Sequence, residues 1–202
     1  PCERLGYSSD TRGCDFLSFP FRFAHGISES TNMDTENDFW ALISASRAST
    51  QEEQESRLEQ LLAGLAPQDL PRFQAFLDKF RREAYRWDLW AAAYVILGGC
   101  SDDSFDNFRY WLIAQGQAIY EAAIAHPDSL ITVLSVADDD PDLDFGELGS
   151  LAISAWEGKS LFPWESAYEW QASSMQPAGA PWEEEDLPLL VPRLWARFYA
   201  EI

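Results

Sequence analysis

The sequence predicts an all-α fold, a single-domain bundle of about five to seven helices with a central antiparallel helical hairpin at about 85–97 and 102–124. Apolar residues recur three and four positions apart through most of the chain, which is the spacing of one helix face. Such segments begin near Ser, Thr or Asp and end near Gly or Pro, as helices do. A chain of 202 residues has the length of one domain with a sizeable core.

The first two predicted helices begin at residues whose side chains cap helix N-termini. Thr35, followed three residues later by Asp38, resembles a capping box and predicts a helix that ends near Arg47. Ser49-Thr50 begins the second helix, and acidic residues in its early turns suit the positive end of the helix dipole. This helix ends at Gly64.

The third helix begins at Asp69 and Pro71, in cap and early-turn positions where a proline costs little. Phenylalanines and a leucine follow at helical spacing. The pattern allows this helix either to continue to Leu97 with a bend or to split near Ala84.

The hairpin is predicted from two apolar segments and the turn between them. The segment 84–97 contains only two charged residues, and a helix that is apolar on all sides belongs at the centre of a bundle. Gly98-Gly99 ends it, because glycine accepts the left-handed conformation of a helix terminus. Ser101 or Asp102 caps the next helix, which is predicted to continue through Gly116 with a close helix contact there. The short turn makes the pair antiparallel.

The pattern is weaker after the hairpin. Residues 129–137 predict a short helix or, as the alternative, a strand, and 138–144 form an acidic loop. An amphipathic helix follows and ends at about Gly158. Residues 159–202 are interpreted as a Pro-rich carboxy-terminal extension whose last helical turns, around Leu194, dock on the bundle.

Residues 1–32 differ from the rest of the chain in having no helical or strand period. Because Met33 opens a capped helix, they are interpreted as a leader, an alternative start or cloning-derived sequence outside the core. The alternative is a native amino-terminal arm. Cys2 and Cys14 lie here; a disulfide between them is sterically conceivable, but free thiols in a cytoplasmic chain are expected.

The net charge restricts the classes of partner. The chain carries 34 acidic and 14 basic residues, a net charge of −20. Such a field repels phosphate backbones and anionic lipids, so we expect neither nucleic-acid nor membrane binding. It suits a basic protein, a cation, or solubility alone. No run of about 18 apolar residues predicts a transmembrane helix. The expected location is cytoplasmic, and the oligomeric state is open.

One long motif resembles a known family. Residues 87–116, WDLWAAAYVILGGCSDDSFDNFRYWLIAQG, contain every element of the WDLW…GGCSDD-x-F-x-x-F-R-x-WLI-x-Q-G string of a bacterial family called domain of unknown function 4240 (DUF4240). DFWALI precedes the motif, and PW…EED…PRLW matches a common extension of the family. The resemblance implies an all-helical domain at 33–158, alone or attached to regulatory modules, with no agreed activity.

The usual catalytic constellations are missing from the sequence. The two histidines are His25, in the amino-terminal segment, and His126, beside a proline. The sequence contains no G-x-S-x-G elbow, no phosphate-binding loop and no H-E-x-x-H helix. The three cysteines have no zinc-site spacing, and no cofactor is predicted. Any enzymatic chemistry would therefore have to use carboxylates.

The carboxylates of interest follow the hairpin turn. Asp102 and Asp106 are four residues apart on one helix face, where they are weak candidates for binding a divalent cation. The alternative is that they, together with Asp103, cap the helix and interact with its dipole.

Asp88 is expected to be buried, where an unpaired carboxylate would cost several kcal/mol. In an antiparallel hairpin residue 88 comes level with about residue 112, so we predict an Asp88–Arg109 ion pair. This pair is either structural or part of a ligand pocket that includes Trp87 and Gln115.

Cys100 lies near a helix N-terminus, which lowers the pKa of a thiol. A small packed cysteine is the favoured interpretation, and a reactive thiol is the alternative. Trp87, Trp90 and Trp111 are assigned to the core, with an aromatic wall for a ligand or partner as the alternative. The candidate ligand or partner site therefore comprises Trp87, Asp88, Cys100, Asp102, Asp103, Asp106, Arg109 and Gln115.

Three classes of function stay open at this point. The first is a non-catalytic interaction or regulatory domain whose acidic surface binds a basic protein, in the manner of an antitoxin or immunity protein. The second is a small-molecule or divalent-cation-binding domain that uses the hairpin tip. The third, a carboxylate- and metal-dependent enzyme, has the least support, so the expectation leans away from catalysis.

Overall fold

The computed structural model describes residues 32–134, 141–171 and 176–199. Within these residues the chain is helical without a named strand, and the all-α prediction is confirmed. The α-helices are α1 (Glu36–Ser46), α2 (Gln51–Gly64), α3 (Leu70–Glu83), α4 (Trp87–Leu97), α5 (Asp102–Ala114), α6 (Gln117–Ala125), α7 (Leu151–Glu157), α8 (Leu187–Leu190) and α9 (Pro192–Phe198). These nine α-helices of the described residues exceed the predicted five to seven, because two are short carboxy-terminal helices and one predicted helix divides.

Short 3₁₀ helices connect several of the described α-helices. They span Pro67–Asp69, Pro127–Thr132, Gly146–Gly149, Trp164–Ser166 and Glu184–Asp186. The first precedes α3, and the second occupies part of the segment for which a short helix or strand was predicted. The predicted leader lies outside the described residues except for Asn32, and so do Cys2 and Cys14.

Three predicted N-terminal caps are confirmed. Thr35 accepts a hydrogen bond from the Asp38 backbone N–H at 3.3 Å, and the Asp38 carboxylate accepts the Thr35 N–H at 2.8 Å, which completes the capping box of α1. Thr50 caps α2, and Ser101 caps α5. Each side chain satisfies a backbone donor that the first helical turn leaves free.

The chain breaks between α3 and α4, so the prediction of a split near Ala84 is confirmed and the continuous helix is wrong. Arg86 has extended backbone dihedrals, φ −140° and ψ 143°. Its neighbours pair with the carboxy-terminal segment: Trp87 N donates to Ala178 O, and Ala178 N donates to Tyr85 O, both at 2.9 Å. A continuous helix would lose these two hydrogen bonds.

The predicted helix at 102–124 is wrong in its length. Gly116 has φ +93° and separates α5 from α6. A Cβ built on Gly116 would meet nothing within 4 Å, so glycine is needed there for its backbone conformation and not for a close helix contact. Gly98, with φ +65°, ends α4 as predicted.

Helix α5 holds the central position that was predicted for α4. Every residue of α5 from Phe108 to Ala114 is buried between α3 and the 3₁₀ helix Gly146–Gly149. Trp87, Trp90 and Tyr94 of α4 are only partly buried. Composition alone misplaced α4, because its apolar face meets the carboxy-terminal segment, which covers it incompletely.

The segment 176–199 lies against α4 and the 3₁₀ helix Pro127–Thr132. The Asp128 carboxylate accepts the backbone N–H groups of Arg193 at 3.1 Å and Leu194 at 2.9 Å, and thereby caps the start of α9. The indole N–H of Trp182 donates to Trp87 O at 2.7 Å. No helix of the described residues is long and apolar enough to cross a membrane.

The 3₁₀ helix Gly146–Gly149 approaches α5 closely. A Cβ on Gly149 would lie 2.7 Å from the hydroxyl oxygen of Tyr110 and 2.8 Å from its Cζ. A Cβ on Gly146 would lie 2.7 Å from Oδ1 of Asn107. The Asn107 amide also donates to Asp144 at 2.8 Å, which fixes the preceding loop. A side chain at Gly149 would therefore displace the Tyr110 ring, and one at Gly146 would displace the Asn107 amide.

Replacing Gly149 by Ala should destabilise the fold, because the buried Tyr110 ring must move to admit the methyl group. We expect a loss of about 1–3 kcal/mol in the free energy of unfolding, measured by urea denaturation. The control is Gly158→Ala, where the nearest atoms lie at 3.7 Å and φ is −70°. An equal effect of the two substitutions would contradict the close approach.

Candidate functional site

Asp88 does not pair with Arg109, and that prediction is wrong. Arg86 donates two hydrogen bonds to the Asp88 carboxylate, from Nε at 2.9 Å and from Nη2 at 2.7 Å. The physical reason is that α4 begins at Trp87, so Asp88 lies in its first turn with a side chain that is 38% exposed. Burial alone would raise the pKa of Asp88, but the hydrogen bond and the charge of Arg86 lower it.

Arg109 is instead held inside the bundle by other groups. Its residue is 7% exposed, and its Nη2 lies 2.8 Å from Asp106. Nη1 donates to the backbone carbonyl of Arg81 at 3.1 Å, near the end of α3. The guanidinium also lies over the Tyr85 ring, 4.6 Å from its centroid. Burial lowers the pKa of Arg109, and the charge of Asp106 opposes this effect.

Asp106 binds two guanidinium groups at once. In addition to Arg109, it accepts hydrogen bonds from Nη1 of Arg81 at 3.1 Å and 2.9 Å. Burial would lower the pKa of Arg81, but Tyr110 and Asp106 are among the groups that raise it. Asp106 therefore links α3 to α5, and we call Arg81, Asp106 and Arg109 the Asp106 bridge.

The Asp106 bridge leaves little for the cation-site hypothesis. A cation bound by Asp102 and Asp106 would have to displace both guanidinium groups from Asp106. Asp102 lies 3.4 Å from the Tyr85 hydroxyl, and Asp103 is exposed. Among the described residues there is no group of three or more His, Cys, Asp or Glu arranged to hold a metal ion.

The surroundings of Cys100 do not favour a reactive thiol, which was the alternative interpretation of this residue. Burial raises the pKa of Cys100 to about 11, because a partly buried thiolate loses hydration. Its sulfur lies 3.6 Å from the Ser101 carbonyl oxygen, and its own carbonyl accepts the Trp90 indole N–H at 3.0 Å. Cys100 packs into the turn, which agrees with the interpretation of a small packed cysteine.

The tryptophans of the motif form part of an aromatic stack. Trp87 and Trp90 lie 5.4 Å apart at 11°, and Trp90 and Phe105 lie 4.8 Å apart at 11°. Trp182 contacts Trp87 edge-on at 6.3 Å. Trp111 is buried at 8% exposure. The stack joins α4, α5 and the carboxy-terminal segment, which is a packing role.

Gln115 lies at the opposite end of α5 from the hairpin turn. It accepts a hydrogen bond from Arg47 at 2.8 Å and donates to Trp111 O at 3.2 Å. A helix of 13 residues is about 20 Å long, so Gln115 is remote from Asp102. The structure therefore does not bring Gln115 into one pocket with Trp87 and Asp88; it ties α5 to the end of α1.

The hairpin tip borders a shallow cavity of about 420 Å³. It is lined by Leu97, Gly99, Ser104 and residues 141–144. None of the eight predicted site residues lines this cavity. The carboxylates singled out in the sequence thus lie in capping and bridging positions, and the cavity beside them is formed by other residues.

A second group of carboxylates, which sequence reasoning did not select, lies on α2 and the 3₁₀ helix Gly146–Gly149. Burial raises the pKa of Glu55, and the charges of Glu147, Glu59 and Glu52 raise it further. We call these four residues the α2 acidic face. Glu52, Glu55 and Glu59 share a helix face by their spacing, which the sequence could have indicated. The contribution of Glu147 depends on the fold.

The basic residues near the core are engaged elsewhere. Arg72 pairs with Asp34 and Asp69, and Lys79 pairs with Glu36 and Glu83. In the part of the chain that the structure describes, no member of the α2 acidic face forms an ion pair with Lys or Arg. These carboxylates therefore present unneutralised charge to solvent.

The chain forms an all-α domain in which residues of the motif contact other parts of the same fold. The carboxylates of the α2 acidic face lie on its surface without ion pairs among the described residues. The chain matches the family described as Protein of unknown function (DUF4240) over residues 33–158, and it belongs to that family. This confirms the resemblance seen in the motif. No curated protein and no solved structure matches the chain.

Asp106→Asn should destabilise the protein, because the buried Arg109 would lose the carboxylate that it pairs with at 2.8 Å while Arg81 also loses a partner. We expect the free energy of unfolding, measured by urea denaturation, to fall by about 2 kcal/mol. This is less than for a fully buried ion pair, because the Asp106 side chain is 34% exposed. Asp103→Asn removes the same charge from the same helix turn and should cost less than about 0.5 kcal/mol. Equal losses would refute the Asp106 bridge.

Alkylation of Cys100 should report its raised pKa. In a Cys2→Ser/Cys14→Ser background, we expect iodoacetamide to react at pH 8 about 100-fold more slowly with the folded protein than with the urea-unfolded one, because an ordinary thiol has a pKa of about 8.5. The folded rate should still rise above pH 9.5. A rate that levels off near pH 7 would instead indicate an activated thiol.

Proposed function

We propose that this chain is a non-catalytic interaction or regulatory domain that binds a basic protein partner through the α2 acidic face. An antitoxin- or immunity-like role, in which an acidic domain covers a basic protein, is the form that suits it. The observation that carries the proposal is the grouping of four carboxylates that form no ion pair in the described residues, whose mutual charge helps to raise the pKa of Glu55. The DUF4240 family itself assigns no activity.

Carboxylates held together in this way repel one another in the free protein. Glu52 and Glu59 are exposed, Glu55 is partly buried, and Glu147 approaches them from another element. A cationic partner would relieve that repulsion on binding, so part of the electrostatic gain is already present in the fold. This is a reason to prefer the α2 acidic face over isolated surface carboxylates.

The net charge of −20 acts in the same direction. A strongly acidic protein attracts basic partners over several ångströms and accelerates their encounter, with a marked dependence on salt. Arg81, Arg86 and Arg109 pair with other carboxylates of the protein, and Arg57 of α2 donates to the Arg47 carbonyl.

The carboxylates of the motif support the non-catalytic class. A general acid or base must be free to reach a substrate. Asp88 is bound by Arg86, and Asp106 is bound by Arg81 and Arg109. Residues with such partners stabilise the fold, which leaves surface recognition as the function that the remaining carboxylates serve.

The test compares two variants of equal charge against an arginine-rich peptide of about ten residues at low salt. Glu52→Gln/Glu55→Gln/Glu59→Gln/Glu147→Gln should weaken binding about tenfold, which is about 1.4 kcal/mol, measured by fluorescence anisotropy. The control Asp103→Asn/Glu121→Gln/Asp142→Asn/Glu185→Gln also removes four charges from exposed residues. It should weaken binding less than about threefold.

An equal loss in the two variants would mean that the peptide senses only net charge, and the α2 acidic face would lose its role. The melting temperature of each variant must stay near that of the unchanged protein. Relief of like-charge repulsion predicts that the four-Gln variant of the α2 acidic face is slightly more stable than the control variant.

A further inference from the structure

The turn that follows α7 exposes large apolar side chains. Leu161 is 102% exposed, Phe162 72% and Trp170 48%. Scattered apolar residues are normal on a protein surface, but a group of large ones in one place marks an interaction site. These three residues line the same groove, and we call it the Phe162 groove.

The Phe162 groove has the size of a binding site. Its volume is about 450 Å³, and Trp164, which is 4% exposed, forms part of its wall. The Trp164 indole N–H has no hydrogen-bond partner among the described residues. Buried indole N–H groups usually find an acceptor.

The exposed side chains are presented by a fixed turn. The Trp156 indole N–H donates to Phe162 O at 2.9 Å, and Phe162 N donates to the Ser160 hydroxyl at 3.1 Å. Lys159 donates to the carbonyls of Leu62 at 3.3 Å and Leu65 near the end of α2. A preorganised turn loses little conformational freedom when an occupant binds, which favours affinity.

The charge around the groove indicates the chemistry of its occupant. Glu157 and Glu165 line the groove, both are exposed, and neither forms an ion pair in the described part of the chain. Lys159, the basic residue nearest in sequence, is bound to α2 carbonyls and not to these glutamates. An apolar floor with an acidic rim is complementary to a segment that is apolar on one side and basic on the other.

The groove and the α2 acidic face are both connected to α2, at different ends of this helix. Glu147 interacts with Glu55 near the start of α2, whereas Lys159 binds the carbonyls near its end. Helix α7 lies between and packs along α2. The 14 residues of α2 span about 20 Å, so a single amphipathic segment of about 18 residues is long enough to contact both ends.

We infer that the Phe162 groove binds the apolar side of an amphipathic basic helix of the partner, with Glu157 and Glu165 pairing with its Lys or Arg residues. The inference rests on the proposed function, since the occupant belongs to the same basic partner whose charges meet the α2 acidic face. Leu161 and Phe162 provide the apolar contact, and the carboxylates select a basic sequence.

The experiment measures binding of the full chain to two synthetic peptides of about 18 residues and equal positive charge. The first is amphipathic, with Leu and Phe on one helix face and Lys and Arg on the other. The second replaces the Leu and Phe by Ser. Leu161→Ser/Phe162→Ser should lower the affinity for the amphipathic peptide at least about tenfold, measured by isothermal titration calorimetry. It should change the affinity for the Ser peptide by less than about twofold.

The matched control is Leu189→Ser/Leu190→Ser, which removes two other exposed leucines, 85% and 43% exposed, from α8. It should change neither affinity more than about twofold. Because Leu161 and Phe162 are exposed, their replacement should leave the melting temperature unchanged, and a fall of several degrees would show that they support the fold instead, which would overturn the inference.

The possible results separate the groove from the proposed function. If the four-Gln variant of the α2 acidic face lowers the affinity for both peptides but Leu161→Ser/Phe162→Ser lowers neither, the proposed function stands and the role of the groove is refuted. If neither variant changes either affinity, both are refuted. If Leu161→Ser/Phe162→Ser converts a dimer into a monomer in light scattering, the groove binds a second copy of the chain and the inference is overturned.

Discussion

The arrangement of the bundle depends on one carboxylate that binds two arginines. Asp106 pairs with Arg81 of α3 and Arg109 of α5, and Arg109 also donates to the Arg81 carbonyl. That carbonyl lies in the last turn of α3, where main-chain acceptors lack helical partners. The buried guanidinium therefore contacts a helix end and a carboxylate together, and it joins the end of α3 to α5. Every later element packs on this pair of helices or on their neighbours.

This constraint determines which carboxylates are free for recognition. The GGCSDD motif places several aspartates at the start of α5, and it resembles a ligand site in sequence. In the folded chain these residues act on the protein itself: Ser101 caps α5, and Asp106 binds two arginines. Glu52, Glu55, Glu59 and Glu147 are among the carboxylates that form no ion pair in the described residues, and they lie on α2 and the 3₁₀ helix Gly146–Gly149. A conspicuous sequence motif can therefore serve the fold, while the surface that we propose for binding carries no recognisable motif.

Features of the fold that depend on neighbouring residues were predictable, and features that depend on distant ones were not. Thr35, Thr50 and Gly98 act within four residues of their positions, and each was predicted. Gly116 was ambiguous, because its positive φ cannot be distinguished from a tolerated helical glycine in the sequence alone.

Asp88 illustrates the second kind of feature. Its burial was inferred from the apolar composition of α4, but α4 begins at Trp87 because residues 85–87 pair with Ala178, about 90 positions later. Only the fold reveals that contact, and with it the partner Arg86. The same limit applies to Glu147 and to the exposure of Phe162, which the sequence does not distinguish from the buried Phe145.

The charge of the chain also bears on which partner suits the surface along α2 and α7. A second copy would bring another net charge of −20 against the α2 acidic face and the glutamates of the Phe162 groove. Apolar contact at Leu161 and Phe162 would have to overcome that repulsion, whereas a basic segment gains from both contributions. Buried apolar area contributes to the affinity of a complex. Complementary charge determines which partner is selected and how fast the two proteins associate. The combination therefore favours a basic partner over self-association.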